Sequence, residues 1–280
     1  QGHETTFKQI LHARLGLDPA RVRYIDGDTE RVAFGIGTNG SRSTVIGGSA
    51  LWRAADKLIE KGKAIAAHLL EAAAADMVFA EGVFSVTGTD RRVTLEDVAR
   101  AAFQPGRLPP GMEPGFYESG TFTPKGTTYP NGAHVCEVEV DEATGEVSLV
   151  AYAVVDDVGT VINPLTLKGQ IHGGIAQGLG QALMEQVVYD RQSGQLLTAT
   201  FMDYAMPRAG DFSAITVESR PVPTRLNPLG AKGAGEAGTV GALPAVMNAV
   251  LDALAPLGVT ALDMPATPQR VWQAIQRARP

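Results

Sequence analysis

The sequence predicts an α+β protein in two mixed halves, with glycine-rich loops that run into helices. Three observations carry that reading. Apolar residues recur at helical spacing in several stretches, as at Leu51, Ala55, Leu58, Ile65 and Leu69. Elsewhere they alternate, as over 133–140 and 147–156, which are joined by the turn residues Asp141-Glu-Ala-Thr-Gly-Glu146. The 32 glycines gather in loops, where they serve as local backbone devices rather than as general flexibility.

In chain order, 4–15 reads as a helix with Phe7, Ile10, Leu11 and Leu15 on one face and Gly16 as its stop. A short strand is expected over 22–25, a turn over 26–29 and a Gly/Ser/Thr loop over 35–48. A long helix follows over 49–75, then strands at 77–80 and 83–87. Thr94-Leu-Glu-Asp97 forms a capping box opening a helix to Phe103. The proline-rich stretch 104–115 is the expected boundary between a first half, 1–103, and a second, 116–280. Beyond it come the hairpin already noted and a glycine-rich helix over 165–186. A second hairpin, 187–189 with 196–200, and a strand over 215–222 follow. The loop 230–241 then enters a helix carrying Leu243, Val246, Met247, Val250, Leu251 and Leu254, with Pro244 placed in its first turn. Thr267-Pro268 opens a last helix with Val271, Trp272 and Ile275.

Composition narrows the function. A chain of 280 residues can bury a core without disulfide or metal staples. An apolar share of 44% and a charged share of 19% exclude a disordered chain. A net charge of −6 argues against a general nucleic-acid binder, and 6% aromatic residues argue against rows of base-stacking rings. Cys136 is the single cysteine, and the five histidines show no His-x-x-x-His pair, so no protein-ligated metal is expected. Cys136 itself reads as a small core residue rather than a nucleophile. No signal segment opens the chain, and the apolar stretch 240–262 is broken by Asn248, Asp252 and two prolines. A soluble, cytoplasmic protein is expected. Its start at Gln1, without Met, is read as belonging to a longer polypeptide.

Two segments carry chemistry. Gly35-Ile-Gly-Thr-Asn-Gly40 matches the dinucleotide fingerprint, but no strand–loop–helix–strand context surrounds it. The same loop supplies hydroxyls from Thr38, Ser41, Ser43 and Thr44, the Arg42 guanidinium, and glycines ahead of a long helix. That combination suits an anion, or else makes an ordinary polar N-cap. In Gly230-Ala-Lys-Gly-Ala-Gly-Glu236-Ala-Gly-Thr-Val-Gly241, Glu236 has no bulky neighbour, and the apolar sequence after it could bury the acid and raise its pKa towards that of a general base. The competing reading is a Glu in the entry turn of a helix, favoured by the dipole.

Four motifs in this order resemble one family. They are Gln1-Gly-His-Glu-Thr-Thr6, Gly37-Thr-Asn-Gly-Ser-Arg-Ser-Thr44, Gly169-Gln-Ile-His-Gly-Gly-Ile-Ala-Gln177-Gly-Leu-Gly-Gln-Ala-Leu183 and Lys232-Gly-Ala-Gly-Glu236-Ala-Gly238. Together they are similar to the C-terminal, second molybdopterin-binding part of the large subunit in the xanthine dehydrogenase / aldehyde oxidase / carbon monoxide dehydrogenase family. The resemblance covers essentially the whole chain. It implies a fold of the molybdenum-cofactor-binding type and the chemistry of a molybdenum hydroxylase, with the metal held by pterin sulfurs.

By the same resemblance Glu236 is the general base. Gln1, Gly2, His3 and Gln177 approach the molybdenum centre or pterin. Thr38, Gly40, Ser41, Arg42, Ser43 and Thr44 hold the phosphate and nucleotide end, expected as molybdopterin cytosine dinucleotide. Lys232, Gly233 and Gly235 line the segment of the base. The resemblance further implies an upstream part of the subunit, a FAD-binding partner, a partner with [2Fe-2S] clusters, and a dimer of such heteromers. Independent activity of this portion alone is not expected. Two alternatives stay open: a cofactor-anchoring or subunit-interaction module without chemistry, and an NAD-binding dehydrogenase.

Overall fold

The computed structural model describes every residue except Ala33, Ile36, Ser213 and Pro280. The chain forms two compact units, and both are discontinuous in sequence. The first comprises Gly2–Thr128 and Pro223–Lys232; the second comprises Gln1, Tyr129–Val222 and Gly233–Pro280. The division therefore runs between Thr128 and Tyr129 rather than at the proline-rich 104–115, which lies wholly within the first unit.

The first unit packs α1 (His3–Leu15) and α2 (Ser49–Leu69) with a small antiparallel sheet of β1 (Met77–Ala80), β2 (Val83–Val86) and β3 (Arg92–Thr94), followed by α3 (Leu95–Ala101). Gly16 ends α1 in the left-handed conformation, φ 68°, with its N–H on the carbonyl of His12. The core forms where Ala55, Ile59, Ile65 and Ala66 of α2 meet Met77, Phe84, Leu95 and Val98. Gly62 lets the Phe84 ring lie against the α2 backbone.

Thr94 caps α3 by accepting from the Asp97 N–H at 3.1 Å while its hydroxyl donates to the Asp97 carboxylate at 2.6 Å. Thr94→Ala is expected to cost about 1 kcal/mol, read as a lower urea midpoint.

The expectations for this unit need five corrections. The stretch 22–25 is not a strand: it pairs with none of the described strands, and Tyr24 packs against Phe7 with ring centroids 5.8 Å apart. The loop over 35–48 ends early, because Thr44–Gly48 is a π-helical turn running directly into α2. Helix α2 stops at Leu69 rather than 75, since Glu71 turns left-handed at φ 50°. Helix α3 ends at Ala101 rather than Phe103, and β3 was not anticipated at all.

The second unit is a three-stranded sheet with helices packed on one face. Strands β4 (Asn131–Val140) and β5 (Val147–Asp157) form the expected hairpin, and β6 (Ile215–Ser219) adds to β5 in parallel. The Asp141 carboxylate organises the hairpin turn, accepting from the Ala143 N–H at 2.9 Å and the Thr144 hydroxyl at 2.8 Å. Helices α4 (Pro164–Leu183), α5 (Ala237–Leu254) and α6 (Pro268–Ala278) complete the unit. Its core joins Tyr152 and Val154 to Ile171, Ile175, Leu179, Val246, Val250, Val271 and Ile275.

Four boundaries differ here. Helix α4 stops at Leu183 instead of 186. The second hairpin reduces to a single bridge, Tyr189 with Leu196, between turn bonds of Asp190. Strand β6 ends at Ser219 rather than 222, because Val222 donates to the Asp157 carboxylate at 2.9 Å instead of to a ladder. Helix α5 begins at Ala237, so Pro244 lies inside it and not in its first turn. The carbonyl of Val240 thereby loses its helical donor, at a residue that is exposed. Ala237–Leu257 is long and apolar enough to cross a membrane by length and composition alone, but Ala242, Val246, Val250 and Leu254 face the core of the unit.

Candidate functional site

Two glycine-rich helices bring the residues of interest in the second unit into a fixed arrangement. Helices α4 and α5 meet backbone on backbone. A Cβ on Gly238 would lie 2.5 Å from the Ile171 carbonyl oxygen and 2.9 Å from the Ile175 nitrogen. One on Gly174 would lie 2.9 Å from the Thr239 nitrogen, and one on Gly178 would lie 2.7 Å from the Ala242 Cβ. The Thr239 hydroxyl donates to the Gly174 carbonyl at 3.0 Å, tying the crossing further. Gly174, Gly178 and Gly238 are thus explained by helix packing, with small residues four apart on each facing surface.

Glu236 is the residue immediately before α5, with φ −109° and ψ −5°, and its carbonyl accepts from the Val240 N–H at 3.0 Å. It stands two residues from the crossing at Gly238. Gln177 lies three residues beyond Gly174 on α4. Both side chains belong to exposed residues, so the burial expected for Glu236 is not provided by the described residues of this chain. The apolar sequence after Glu236 turns inward along α5 and leaves the entry residue outside. Of the neighbours in its motif, Gly235 is exposed and Gly233 buried. Gln1 belongs to this unit and is exposed.

In the first unit, Gly2 adopts φ 75° ahead of α1, and the His3 ring stacks on Phe7 with centroids 5.7 Å apart. The loop before α2 has the tight, irregular backbone of an anion cradle. Gly37, Gly40 and Ser41 all have positive φ, at 68°, 55° and 55°. The hydroxyls of Thr38 and Ser43 meet at 2.5 Å, and Arg42 donates to the Gly37 carbonyl at 3.1 Å. A Cβ on Gly37 or Gly40 would meet nothing within 4 Å, so space lies open over the bend. Thr44 begins the π-helical turn that runs into α2. Ser41, Arg42, Ser43 and Thr44 are all partly buried, while Thr38 and Gly40 are exposed. Hydroxyls, a guanidinium and a bent backbone at a helix entry match the needs of phosphate oxygens. Among the described residues no strand precedes Gly35, so the dinucleotide fingerprint lacks the βα context it requires.

Lys232 also belongs to the first unit, at the end of a clamped loop. Buried Asn227 makes that clamp: its amide donates to the Ala231 carbonyl at 2.9 Å and accepts from the Ala231 N–H at 3.2 Å. Among the described residues no three His, Cys, Asp or Glu side chains gather into a group able to hold a metal. Cys136 faces the core, and burial pushes its thiol up to about 11, so it is protonated at neutral pH.

Sequence reading missed one cluster. His134, Tyr152 and Asp156 meet beneath α5, with His134 Nδ1 2.7 Å from the Tyr152 hydroxyl and Nε2 3.5 Å from Asp156 Oδ1. The alternation of β4 and β5 already places them on one face with Cys136, Val138 and Val154, and three polar side chains on an inward face were the available signal.

Comparison with known proteins identifies the family of the chain. Residues 1–213 match the molybdopterin cofactor-binding domain family, and the chain belongs to it. The carbon monoxide dehydrogenase large chain of Hydrogenophaga pseudoflava is 41% identical over 99% of this chain and 34% of its own length. The crystal structure of a Cu,Mo-CO dehydrogenase superposes with a TM-score of 0.93 at 36% identity, over 99% of this chain and 35% of that one. Quinoline 2-oxidoreductase from Pseudomonas putida 86 gives 0.91 at 40% identity, over 100% and 35%. The chain therefore spans about a third of the length of the relatives it matches.

Proposed function

We propose that this chain is the cofactor-binding and base-bearing portion of a molybdenum hydroxylase, acting on an electron-poor carbon with water as the oxygen source. The observation that carries the reading is the position of Glu236, set at the entry of α5 by a glycine-on-glycine crossing, in a chain of the molybdopterin-binding family. When bound, the molybdenum cofactor would supply the redox centre that takes up electrons from substrate. Glu236 acts as general base, removing the proton of the attacking oxygen. Its place beside the glycines leaves its approach unobstructed by neighbouring side chains along the chain.

Thr38, Gly40, Ser41, Arg42, Ser43 and Thr44 hold the phosphate and nucleotide end of the cofactor, in its cytosine dinucleotide form. Gln1, Gly2, His3 and Gln177 present polar groups to the pterin, and Lys232, Gly233 and Gly235 shape the backbone around the base. The rest of the large subunit, a FAD-binding partner and an iron–sulfur partner complete a cytoplasmic heteromer. The reading is tested on that complete enzyme with carbon monoxide, quinoline and benzaldehyde in water enriched in heavy oxygen. Product carrying the heavy atom is expected from at least one of them, and oxidation without its incorporation would refute the hydroxylase reading.

The cofactor loop gives a separate expectation. Arg42→Ala should lower the molybdenum content of the purified enzyme severalfold. Arg42→Lys should recover only part of it, because lysine keeps the charge but not the planar fork. Metal analysis against protein concentration reads both.

A further inference from the structure

We propose that His134 is a positioning residue for Glu236: it fixes the first turn of α5 through a buried Asp156–His134–Tyr152 cluster that meets the helix backbone at Gly241. This inference rests on the reading of Glu236 as the base.

The cluster is enclosed. The side chains of His134 and Asp156 are 7% and 5% exposed, and Tyr152 is among the largest fully buried residues. Burial, followed by the nearby Cys136 and Asp156, raises the Tyr152 phenol above its ordinary range and keeps it protonated. The Tyr152 hydroxyl and His134 Nδ1 share a hydrogen bond at 2.7 Å, and Nε2 on the other side of the ring faces Asp156 Oδ1 at 3.5 Å. The hydrogen bond on one side and the buried carboxylate on the other orient the ring.

That orientation presses the ring against α5. A Cβ on Gly241 would lie 2.6 Å from His134 Cε1, and nearer still to Cδ2 and Nε2. Only glycine lets the helix backbone come this close. The hydrogen bond from the Val240 N–H to the Glu236 carbonyl closes the adjoining turn, so a shift at Gly241 is transmitted to Glu236. On α4, Gly174 contacts Gly238 of the same turn. The entry of α5 is thereby held by α4 and by His134 of β4.

Packing alone does not account for these residue types. Asp156 Oδ2 is buried without a hydrogen-bond partner, and a buried carboxylate costs stability that an apolar side chain of similar volume would not. The cluster sacrifices stability for a defined geometry.

The test uses the complete molybdenum-loaded enzyme and the substrate from the panel above that the parent oxidises fastest. In His134→Phe, kcat is expected to fall about 10- to 100-fold, with KM and molybdenum content unchanged. Amide exchange over 237–241 should rise about tenfold, while that over 246–254 stays at the parent rate. His134→Gln, which keeps a donor for Asp156, should recover most of both losses.

Parent-like exchange over 237–241 in His134→Phe overturns the proposal whatever the activity. So does a loss shared by kcat, KM and metal content. If His134→Phe fails to fold, Gly241→Ala is measured in the same way, and parent-like kcat with parent-like exchange in that variant overturns the proposal. Glu236→Gln, measured alongside, separates the two ideas. Retained turnover there defeats the base assignment, whereas the exchange rates still report whether His134 sets the turn.

Discussion

Glu236→Gln in the complete enzyme is expected to lower kcat by about 10²- to 10⁴-fold, the range that a positioned general base contributes. Glutamine matches glutamate in length and shape but accepts no proton at neutral pH. The exposed position at the head of α5 has room for either side chain, so the fold should be untouched. Molybdenum content should also stay at the parent level, because the loop around Arg42 is the proposed holder of the phosphate end. Glu236→Asp should be slowed less than Glu236→Gln: it keeps the carboxylate but draws it back by one methylene. Turnover and metal content measured on the same preparations decide the matter. Parent-like turnover in Glu236→Gln would assign this portion to cofactor anchoring without chemistry.

Gly238→Ala is expected to carry a large structural penalty at the α4–α5 crossing. The new Cβ would sit 2.5 Å from a backbone oxygen of α4 and 2.9 Å from a backbone nitrogen, and neither can rotate away. The two helices must separate, which loosens the packing of Ile171 and Ile175 on Ala242 and Val246. Overpacking of this kind costs about 1–3 kcal/mol. Unfolding in urea should show a lower midpoint with an unchanged slope. Gly173 is the matched control. It lies on the facing helix α4 with nothing within 4 Å of its would-be Cβ, and Gly173→Ala should be neutral or slightly stabilising.

Much of the fold was legible because its signals are local. The hairpin of β4 and β5 carried alternation on both arms and a turn built on Asp141. Helix α1 had an apolar face and a glycine stop, and Thr94 announced α3. The failures came where a distant partner decides. The stretch 22–25 alternates like a strand but has no strand beside it. Strand β3 is three residues long and exists only through its pairing with β2. The start of α5 was placed too late because Gly238 and Gly241 read as loop residues. In the fold they are helical residues that carry no side chain because α4 and His134 occupy the space.

The site followed the same division. Glu236 and the Ser41–Thr44 bend could be singled out from motif and chemistry. The exposure of Glu236 could not, since it depends on which way α5 turns its apolar face. The His134 cluster was hidden because its three members are separated in sequence and only the register of β4 on β5 unites them.

The interleaved path of the chain sets a limit on dissection. The backbone leaves the first unit at Thr128, returns for Pro223–Lys232, and leaves again one residue before Gly233. That short return visit is structural: Leu229 is buried, and its Cδ1 comes within 2.8 Å of where a Cβ on Gly48 would be, at the entry to α2. No single cut yields two whole modules. A fragment ending at Thr128 lacks a piece of its own core, and the remaining fragment carries Pro223–Lys232 without the unit it packs in. Cleavage of the backbone at Thr128 would therefore compromise both units at once.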